Sequence, residues 1–302
     1  MDIVTALPDK QGELAPGSET GVFYFRYGAQ SEDWHKLRMT GIGGSEIGAI
    51  MGLSKWTSPY RLWALKTKRV EQPEIVSEAA EWGNRLEPVI IDKFEDSHPE
   101  WKVFRDPGTY HHKDREWQRA NPDGIVWDGK QWAVLEVKTA QFEDDWRDGP
   151  PMSYQAQVQW YMDTFGYRKT YFAVLFHGNT YKEYEYDYSE FFMEDAVEQA
   201  TEFKRLVDED VEPDFDGAQS TYETVRELHP DIEDDEVELG DLGVHYFNAK
   251  SDAAAATEKE RELASRVMAA MGKAKRGLIM GDWMLSRQAR GKGVPFLVQK
   301  RR

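Results

Sequence analysis

Residues 132–139 read W-A-V-L-E-V-K-T, an apolar run that ends in a glutamate and a lysine separated by one valine. A short apolar run of this kind is typical of a buried strand. Glu136 and Lys138 are unexpected there, because charged side chains are rarely buried unless they are paired or bind something. This strand constrains the fold most, since whatever covers it must accommodate two charges.

The composition is that of a folded protein. The chain has 302 residues, 40% of them hydrophobic, and no cysteine, which excludes disulfides, zinc–cysteine clusters and thiol nucleophiles within this sequence. No apolar run is long enough to cross a bilayer, and the first residues lack the basic start and apolar core of a signal peptide. We therefore expect a cytoplasmic protein with no membrane association.

Charge is divided unevenly along the chain. The formal net charge is −17, which taken alone argues against nucleic acid, because phosphates attract positive charge. Acids dominate residues 183–241, whereas residues 273–302 contain many Lys and Arg and a single acid, Asp282. The acidic part is typical of a solvated helix and a loose linker.

Hydrophobic periodicity predicts an α/β chain. Residues 1–30 are rich in Gly, Pro and polar residues and predict a loosely attached arm. Capping residues and helical spacing predict helices from Ser31, from Ser45 as N-cap, from Ser58 and from Ser77 to Asp96, the last bent or broken at Pro88. Later elements are strands over 101–139, helix 152–165, a strand pair turning at Gly178-Asn179, helix 189–207 and a helix over 252–275.

A hairpin is expected to place charged residues on one face of a sheet. With Asp128 and Gly129 as a two-residue turn, Asp123 lies opposite Val134, so strand alternation brings Asp123, Glu136 and Lys138 to one face. The two carboxylates are then diagonal neighbours at roughly 7–8 Å. A four-residue loop keeps these faces, whereas an odd loop or a bulge does not.

Two carboxylates and a lysine on one face suit a hard divalent cation such as Mg²⁺, which prefers oxygen ligands. Asp123, Glu136 and the main-chain carbonyl of Val137 are the predicted ligands, with Lys138 placed to stabilise an attacking hydroxide. A buried salt bridge between Glu136 and Lys138 explains the same residues equally well at this point.

Two helical positions support a site. Glu87 shares its helix face with Ile90, Ile91 and Phe94, and Gln157 lies on a stripe of apolar and aromatic residues. Either is explained as a boundary residue. Both are also candidates to reach the sheet face that carries the carboxylates.

Six ordered blocks then resemble a known family. They are W-H-K-L-R-M-T-G-I-G-G-S-E-I, T-S-P-Y-R-L-W, W-G-N-R-L-E-P, N-P-D-G, L-E-V-K and Y-Q-A-Q-V-Q-W-Y, within residues 31–190. Their order is similar to that of the YqaJ-type viral recombinases and bacteriophage lambda exonuclease, in the PD-(D/E)XK nuclease superfamily. A lone D…ExK motif would be weak evidence, whereas six ordered blocks are specific.

The resemblance implies a restriction-endonuclease-like core, a central mixed sheet flanked by helices. It implies a Mg²⁺-dependent enzyme, with Mn²⁺ as a substitute, that degrades one strand of duplex DNA 5′-to-3′ from its end. Asp123 and Glu136 would be metal ligands, Lys138 catalytic, and Glu87 and Gln157 supporting active-site residues. Arg38 and Ser45 would hold the 5′-phosphate, and Asn121 replaces a serine of the family but can still donate a hydrogen bond. Ser45 also makes local sense after Gly43-Gly44, since free N–H groups at a helix start attract anions.

The resulting domain prediction is an arm over 1–30, a nuclease domain over 31–210, an acidic linker over 211–250 and a C-terminal helix with a basic tail over 251–302. By resemblance, the partners are duplex DNA ends, a single-strand annealing protein and further copies of the chain in a trimeric ring. A restriction-like endonuclease and a non-catalytic DNA-end-binding adaptor remain as alternatives.

Overall fold

The computed structural model describes residues 6–26, 38–71, 77–281, 283–289 and 291–301. These residues form two compact units, divided between Asp231 and Ile232. The helix predicted from Ser31 lies outside the described residues except for its last residues at 38–40. Among the described helices, none combines the length and apolarity that a membrane span requires.

A five-stranded mixed sheet lies at the centre of the first unit. From one edge to the other, its strands are β3 (Lys102–Arg105), β6 (Gly124–Trp127), β7 (Trp132–Ala140), β8 (Lys169–Phe176) and β9 (Thr180–Asp187). β7 and β8 run parallel, and the other three pairs are antiparallel. The strand with the sequence W-A-V-L-E-V-K-T is therefore the middle strand, which explains its apolar run.

A smaller sheet carries the residues that precede the central one. From edge to edge, its strands are β1 (Gly21–Phe25), β4 (Thr109–His112), β5 (Arg115–Ala120) and β2 (Ile42–Gly43). β5 continues through residues 121–123 directly into β6 of the central sheet. A three-residue connection thus carries Asn121 and Asp123 from one sheet to the other.

The described helices of the first unit surround the central sheet, some packing directly on its strands and others on those helices. They are α1 (Gly44–Ile50), α2 (Pro59–Lys66), α3 (Glu78–Ser97), α4 (Met152–Phe165), α5 (Glu190–Asp208) and α6 (Gln219–Leu228). β7 divides its side chains between two cores: Val134 packs with Trp160 of α4, whereas Leu135 packs with Phe94 of α3. Because alternate strand residues point to opposite faces, Glu136 and Lys138 share the α4 face with Val134.

Two element predictions need correction. α3 is one helix that runs through Pro88 without a break. Pro88 and Asn84 are both exposed, so the Asn84 carbonyl that loses its N–H partner can bond to water. α1 begins after Gly43, which is its N-cap, and Ser45 is the second helical residue. The helix predicted over 152–165 is confirmed at both ends.

The N-terminal residues 6–26 are packed into the first unit and do not form a loose arm. β1 pairs with β4, and Phe23 lies in the core. The Ser18 hydroxyl donates to the Phe165 carbonyl at 2.6 Å, and the Tyr167 hydroxyl donates to the Pro16 carbonyl. The Gly and Pro residues form tight turns around a short strand. From the sequence alone, such a composition predicts a loop, because the partner strand is not known.

The segment predicted as an acidic linker contains helical structure. α6 lies within residues 211–250 and packs against α2, where the Thr221 hydroxyl donates to Ser58 Oγ at 2.7 Å. The second unit consists of the long helix α7 (Gly240–Met271) and an antiparallel sheet of β10 (Arg276–Leu278), β11 (Trp283–Gln288) and β12 (Phe296–Arg301). The helix predicted over 252–275 thus begins earlier, at Gly240, and also ends earlier, at Met271.

Candidate active site

The β6–β7 hairpin has a four-residue loop and not the predicted two-residue turn. Trp127 pairs with Trp132, and Gly124 pairs with Leu135. The loop is closed by Asp128, whose Oδ1 accepts from the backbone N–H of Lys130 and Gln131, each at 2.8 Å. Continuing the register by one residue sets Asp123 opposite Glu136, not Val134. Asp123, Glu136 and Lys138 therefore still share one face of the sheet, as predicted. The two carboxylates are direct neighbours across the strands and not diagonal ones.

Glu136 is held by two side chains through the same oxygen. Its Oε1 accepts from Lys138 Nζ at 2.6 Å and from Gln157 Nε2 at 2.7 Å, and Lys138 also donates to Gln157 Oε1 at 3.2 Å. Gln157 comes from α4, which covers this face of the sheet. The three residues therefore form a closed triangle in which Glu136 is only 2% exposed.

The second oxygen of Glu136 has no hydrogen-bond partner among the described residues. Oε2 is buried and accepts no hydrogen bond within the described structure. A buried carboxylate oxygen left without a donor costs about 1–3 kcal/mol or more, so native proteins rarely keep one without a reason. A salt bridge between Glu136 and Lys138 exists, but it satisfies only half of this carboxylate.

Asp123 lies beside Glu136 and adds a second buried negative charge. Its Oδ2 accepts from the backbone N–H of Val137 at 2.7 Å. Burial, and after it the charge of Glu136, raise the pKa of Asp123 well above its ordinary value. Burial alone would lower the pKa of Lys138, but the attraction of Glu136 and Asp123 outweighs it and leaves that pKa raised. Lys138 is therefore an ammonium at neutral pH.

Glu87 lies on α3, whose apolar residues pack on the face of the sheet opposite α4. Glu87 is nevertheless close enough to interact electrostatically: burial first, then Glu136 and Asp106, raise its pKa. Asp106 was not singled out from the sequence. Its N–H donates to the Asp123 carbonyl oxygen at 3.1 Å, which fixes it beside the site.

The donor set fits a hard divalent cation. Asp123 and Glu136 supply carboxylate oxygens, one of them without a hydrogen-bond donor, and their mutual repulsion is relieved by positive charge. In the described part of the chain, no group of three or more His, Cys, Asp or Glu side chains lies close enough together to hold a metal ion.

A pocket adjoins the carboxylates. It holds about 200 Å³ and is lined by Arg38, Gly43, Gly44, Ser45, Thr109, Arg119, Asn121, Gln157 and Tyr161. Gln157 belongs to both places, because it hydrogen-bonds Glu136 and Lys138 and also forms part of the pocket wall. The three residues predicted to contact DNA, Arg38, Ser45 and Asn121, all lie in this wall.

Arg38 and Ser45 meet directly. Arg38 Nη2 lies 3.3 Å from Ser45 Oγ and 3.3 Å from Glu46 Oε1. Gly43 and Gly44 keep this side of the pocket open, and a Cβ at Gly44 would lie 2.4 Å from the Tyr161 ring. Asn121 Oδ1 accepts from the Thr109 hydroxyl at 2.9 Å, so its amide nitrogen is not used in that bond. Asn121 can therefore donate into the pocket, as the serine of the family would.

An ion pair that the sequence did not reveal lies beneath Arg38. Glu46 and Lys66 are both buried, with Lys66 Nζ 3.0 Å from Glu46 Oε2. Lys66 also donates to the carbonyls of Arg38 and Gly41 at 2.8 and 2.7 Å, which uses all three of its donors. Burial alone would raise the pKa of Glu46, but Lys66 and Arg38 outweigh it and leave that pKa lowered. A lysine in an amphipathic helix gives no sequence signal of this role.

Comparison with known proteins agrees with this geometry. The model of the YqaJ-like viral recombinase domain matches residues 33–168. The uncharacterized protein YqaJ of Bacillus subtilis (strain 168) is 40% identical over 163 residues, which are 52% of this chain and 50% of that protein. The match thus spans about half the length of that relative.

Solved structures share the fold. The alkaline exonuclease LHK-Exo from Laribacter hongkongensis superposes with a TM-score of 0.52 at 16% identity, covering 67% of this chain and all of that one. LHK-Exo in complex with dAMP gives a TM-score of 0.51 at 17% identity, over 66% of this chain and 98% of that one. The predicted α/β class and mixed central sheet are confirmed. Residues 33–168 are thus similar to the YqaJ-like viral recombinase domain, and the chain shares the mixed α/β fold of these two structures.

Proposed function

We propose that this protein is a Mg²⁺-dependent exonuclease that degrades one strand of duplex DNA in the 5′-to-3′ direction from an end. One observation carries the proposal: Gln157 joins the carboxylate site to the pocket that holds Arg38 and Ser45. A pocket of cationic and N–H donors fits a phosphate, and a phosphate-binding pocket next to a hydrolytic site fits an enzyme that works at a strand terminus.

Each residue of the triangle has a chemical task in this proposal. Asp123, Glu136 and the Val137 carbonyl would hold the metal, with Glu136 Oε2 as its natural contact. Mg²⁺, or Mn²⁺ in its place, supplies Lewis acidity that lowers the pKa of a water and offsets charge on the phosphodiester. Lys138 stays protonated and stabilises negative charge beside the scissile phosphate, while Gln157 fixes the orientation of both Glu136 and Lys138.

Two alternatives fit the site less well. A non-catalytic adaptor for DNA ends has no use for Glu136 Oε2, a buried oxygen that costs stability without a partner. A restriction-like endonuclease uses the same carboxylates, but it does not need a pocket for a strand terminus beside them. By resemblance we also propose a trimeric ring and a single-strand annealing partner; the mass in solution tests the ring.

The experiment follows a label on the terminal 5′ nucleotide of a linear duplex. We expect Mg²⁺ to release this label early, as a mononucleotide, and EDTA to prevent release. Glu136→Gln should be inactive, whereas the control Glu185→Gln, which changes an exposed glutamate on β9, should be active. Late release of the 5′ label would show the opposite polarity and contradict the proposed direction.

A further inference from the structure

The C-terminal sheet of the second unit, β10–β12, lies in a strongly basic segment. Residues 273–302 contain nine Lys and Arg side chains and one acid, Asp282, in a chain whose net charge is −17. The acidic residues within 233–241 lie near the opposite end of α7. α7 has 32 residues and therefore spans about 48 Å, several times the screening length of about 8 Å at physiological salt. The acidic segment therefore does not neutralise the basic sheet.

One face of this sheet is turned towards the end of α7. A Cβ at Gly277 would lie 3.2 Å from Met271 Sδ, and Gly277 pairs with Leu285 of β11. Arg287 lies two residues further along β11, so it points to the same face as Leu285. Its Nη1 donates to the Gly272 carbonyl, just after the last residue of α7. Arg287 therefore helps to hold the sheet against the helix.

The other face carries a cation on each side of an apolar strip. Strand alternation and the antiparallel register bring six side chains to it, Arg276, Leu278, Met284, Phe296, Val298 and Lys300. Arg276 lies on β10 and Lys300 on β12, so the middle strand separates the two cations by about 10 Å. Both are exposed, as are Leu278 (69%) and Phe296 (40%). Positive charge thus flanks apolar surface that is open to solvent.

This combination fits an unpaired DNA strand better than a duplex. Proteins that bind single strands without sequence preference contact the phosphates with cations and the faces of the bases with aromatic side chains. A duplex presents its phosphates outside but keeps the base faces within the stack. It would therefore contact Arg276 and Lys300 and leave the apolar strip between them in water, whereas a single strand can cover both.

We propose that the exposed face of the C-terminal sheet binds single-stranded DNA without sequence preference. Arg276 and Lys300 contact phosphates, and Phe296 stacks on a base. The inference rests on the proposed function only in taking DNA as the ligand, and it adds a second nucleic-acid site outside residues 33–168. Removal of one strand of a duplex leaves the other unpaired, and this unpaired strand is the ligand that the sheet fits.

A covalently closed circle of single-stranded DNA tests this site separately from any site for a strand terminus. Binding of the labelled circle to the full chain is measured by fluorescence anisotropy in EDTA, over a series of salt concentrations. We expect Arg276→Gln/Lys300→Gln to make the slope of log K against log salt shallower by about 1.4, because each phosphate contact to a single strand contributes about 0.7. Phe296→Ala should weaken binding about 5- to 100-fold, as for loss of one stacked base, without changing this slope.

Matched variants keep the outcomes distinct. Arg168→Gln/Arg205→Gln removes two exposed arginines of the first unit and should leave the slope unchanged. Phe296→Tyr keeps the ring and should bind the circle like wild type, and Phe296→Ala should not affect binding of a duplex with hairpin-closed ends.

Three results would each overturn the proposal. They are an unchanged slope in Arg276→Gln/Lys300→Gln, an equal change of slope in the control pair, and an equal effect of Phe296→Ala on circle and duplex. Because the circle has no end and EDTA prevents turnover, a failure of the exonuclease assay does not decide this result.

Discussion

Lys138 donates to Glu136 Oε1 at 2.6 Å, while Glu136 Oε2 has no donor in the described structure. The ion pair and the metal site are therefore not exclusive explanations of the E-V-K sequence. Lys138 and Gln157 share one oxygen of Glu136, which leaves the other oxygen for a cation. The cost of burying Glu136 is offset only in part by Lys138, and we attribute the remainder to metal binding.

The first prediction concerns Lys138. Lys138→Ala removes a positive charge beside the scissile phosphate but leaves both predicted metal-binding carboxylates and the bond from Gln157 to Glu136. We expect turnover to fall by roughly 10²–10⁴, the usual contribution of such a group, in protein that a melting curve recorded with Mg²⁺ shows to be folded. Steady-state digestion of linear duplex measures this. The control Lys169→Ala, near the start of β8 and paired with exposed acids, should retain its rate. A near-normal rate in Lys138→Ala would contradict our assignment.

The second prediction concerns Asp123, whose pKa is raised by burial and by Glu136. A carboxyl with a higher pKa in the folded chain binds protons more tightly when folded. The stability that this proton contributes is therefore present at pH values below the pKa of the unfolded chain. It is lost as the pH rises from there towards the higher pKa of the folded chain. Without metal, wild type should therefore lose more stability than Asp123→Asn does as the pH rises above the pKa of an unfolded aspartate, about 3.9.

Thermal melts measure this difference. At neutral pH without metal, Asp123→Asn should melt higher than wild type, by roughly 2–4 °C per kcal/mol of repulsion relieved. Mg²⁺ should raise the melting temperature of wild type and have little effect on Asp123→Asn, because only the native wild-type site gains a ligand. A Mg²⁺ shift of the same size in both proteins would exclude Asp123 as a ligand.

The third prediction concerns the buried pair of Glu46 and Lys66. Lys66→Met leaves Glu46 buried with Arg38 as its remaining cation, and we expect a loss of about 3–5 kcal/mol in the free energy of unfolding. The double variant Glu46→Gln/Lys66→Met removes both charges and should lose clearly less. Chemical denaturation measures both values, and Lys259→Met, at an exposed pair on α7, is the control. Equal losses in the single and double variants would refute the coupling.

The fourth prediction concerns Arg38 and the terminal phosphate. If Arg38 contacts this phosphate, Arg38→Ala should slow digestion of 5′-phosphorylated duplex strongly and of 5′-hydroxyl duplex little. Rates of wild type and variant on both substrates form a double-mutant cycle between residue and phosphate. A coupling energy near zero would remove Arg38 from the pocket's function.

The sequence predicted those parts of the site that local rules determine. Strand alternation placed Asp123, Glu136 and Lys138 on one face, and it survived a wrong loop length because two and four residues keep the same parity. It could not show which helix covers which face. Buried charges that depend on distant contacts, such as Lys66, have no local pattern at all.

The prediction of a loose N-terminal arm was wrong for a related reason. Residues 6–26 have the composition of a loop, yet β1 gains its partner, β4, from about 90 residues further along the chain. The secondary-structure propensity of a segment does not encode such long-range pairing. The hydrogen bonds of α4, in contrast, lie within its own turns, and both of its ends were predicted correctly.

Dependence on a DNA end tests the central claim most directly. One plasmid is offered to the protein with Mg²⁺ in two forms, as a covalently closed supercoiled circle and after linearisation to leave 5′-phosphates. We predict that the linear form is degraded while the circle stays closed. Nicking or cleavage of the circle at a rate comparable to digestion of the linear form would contradict it.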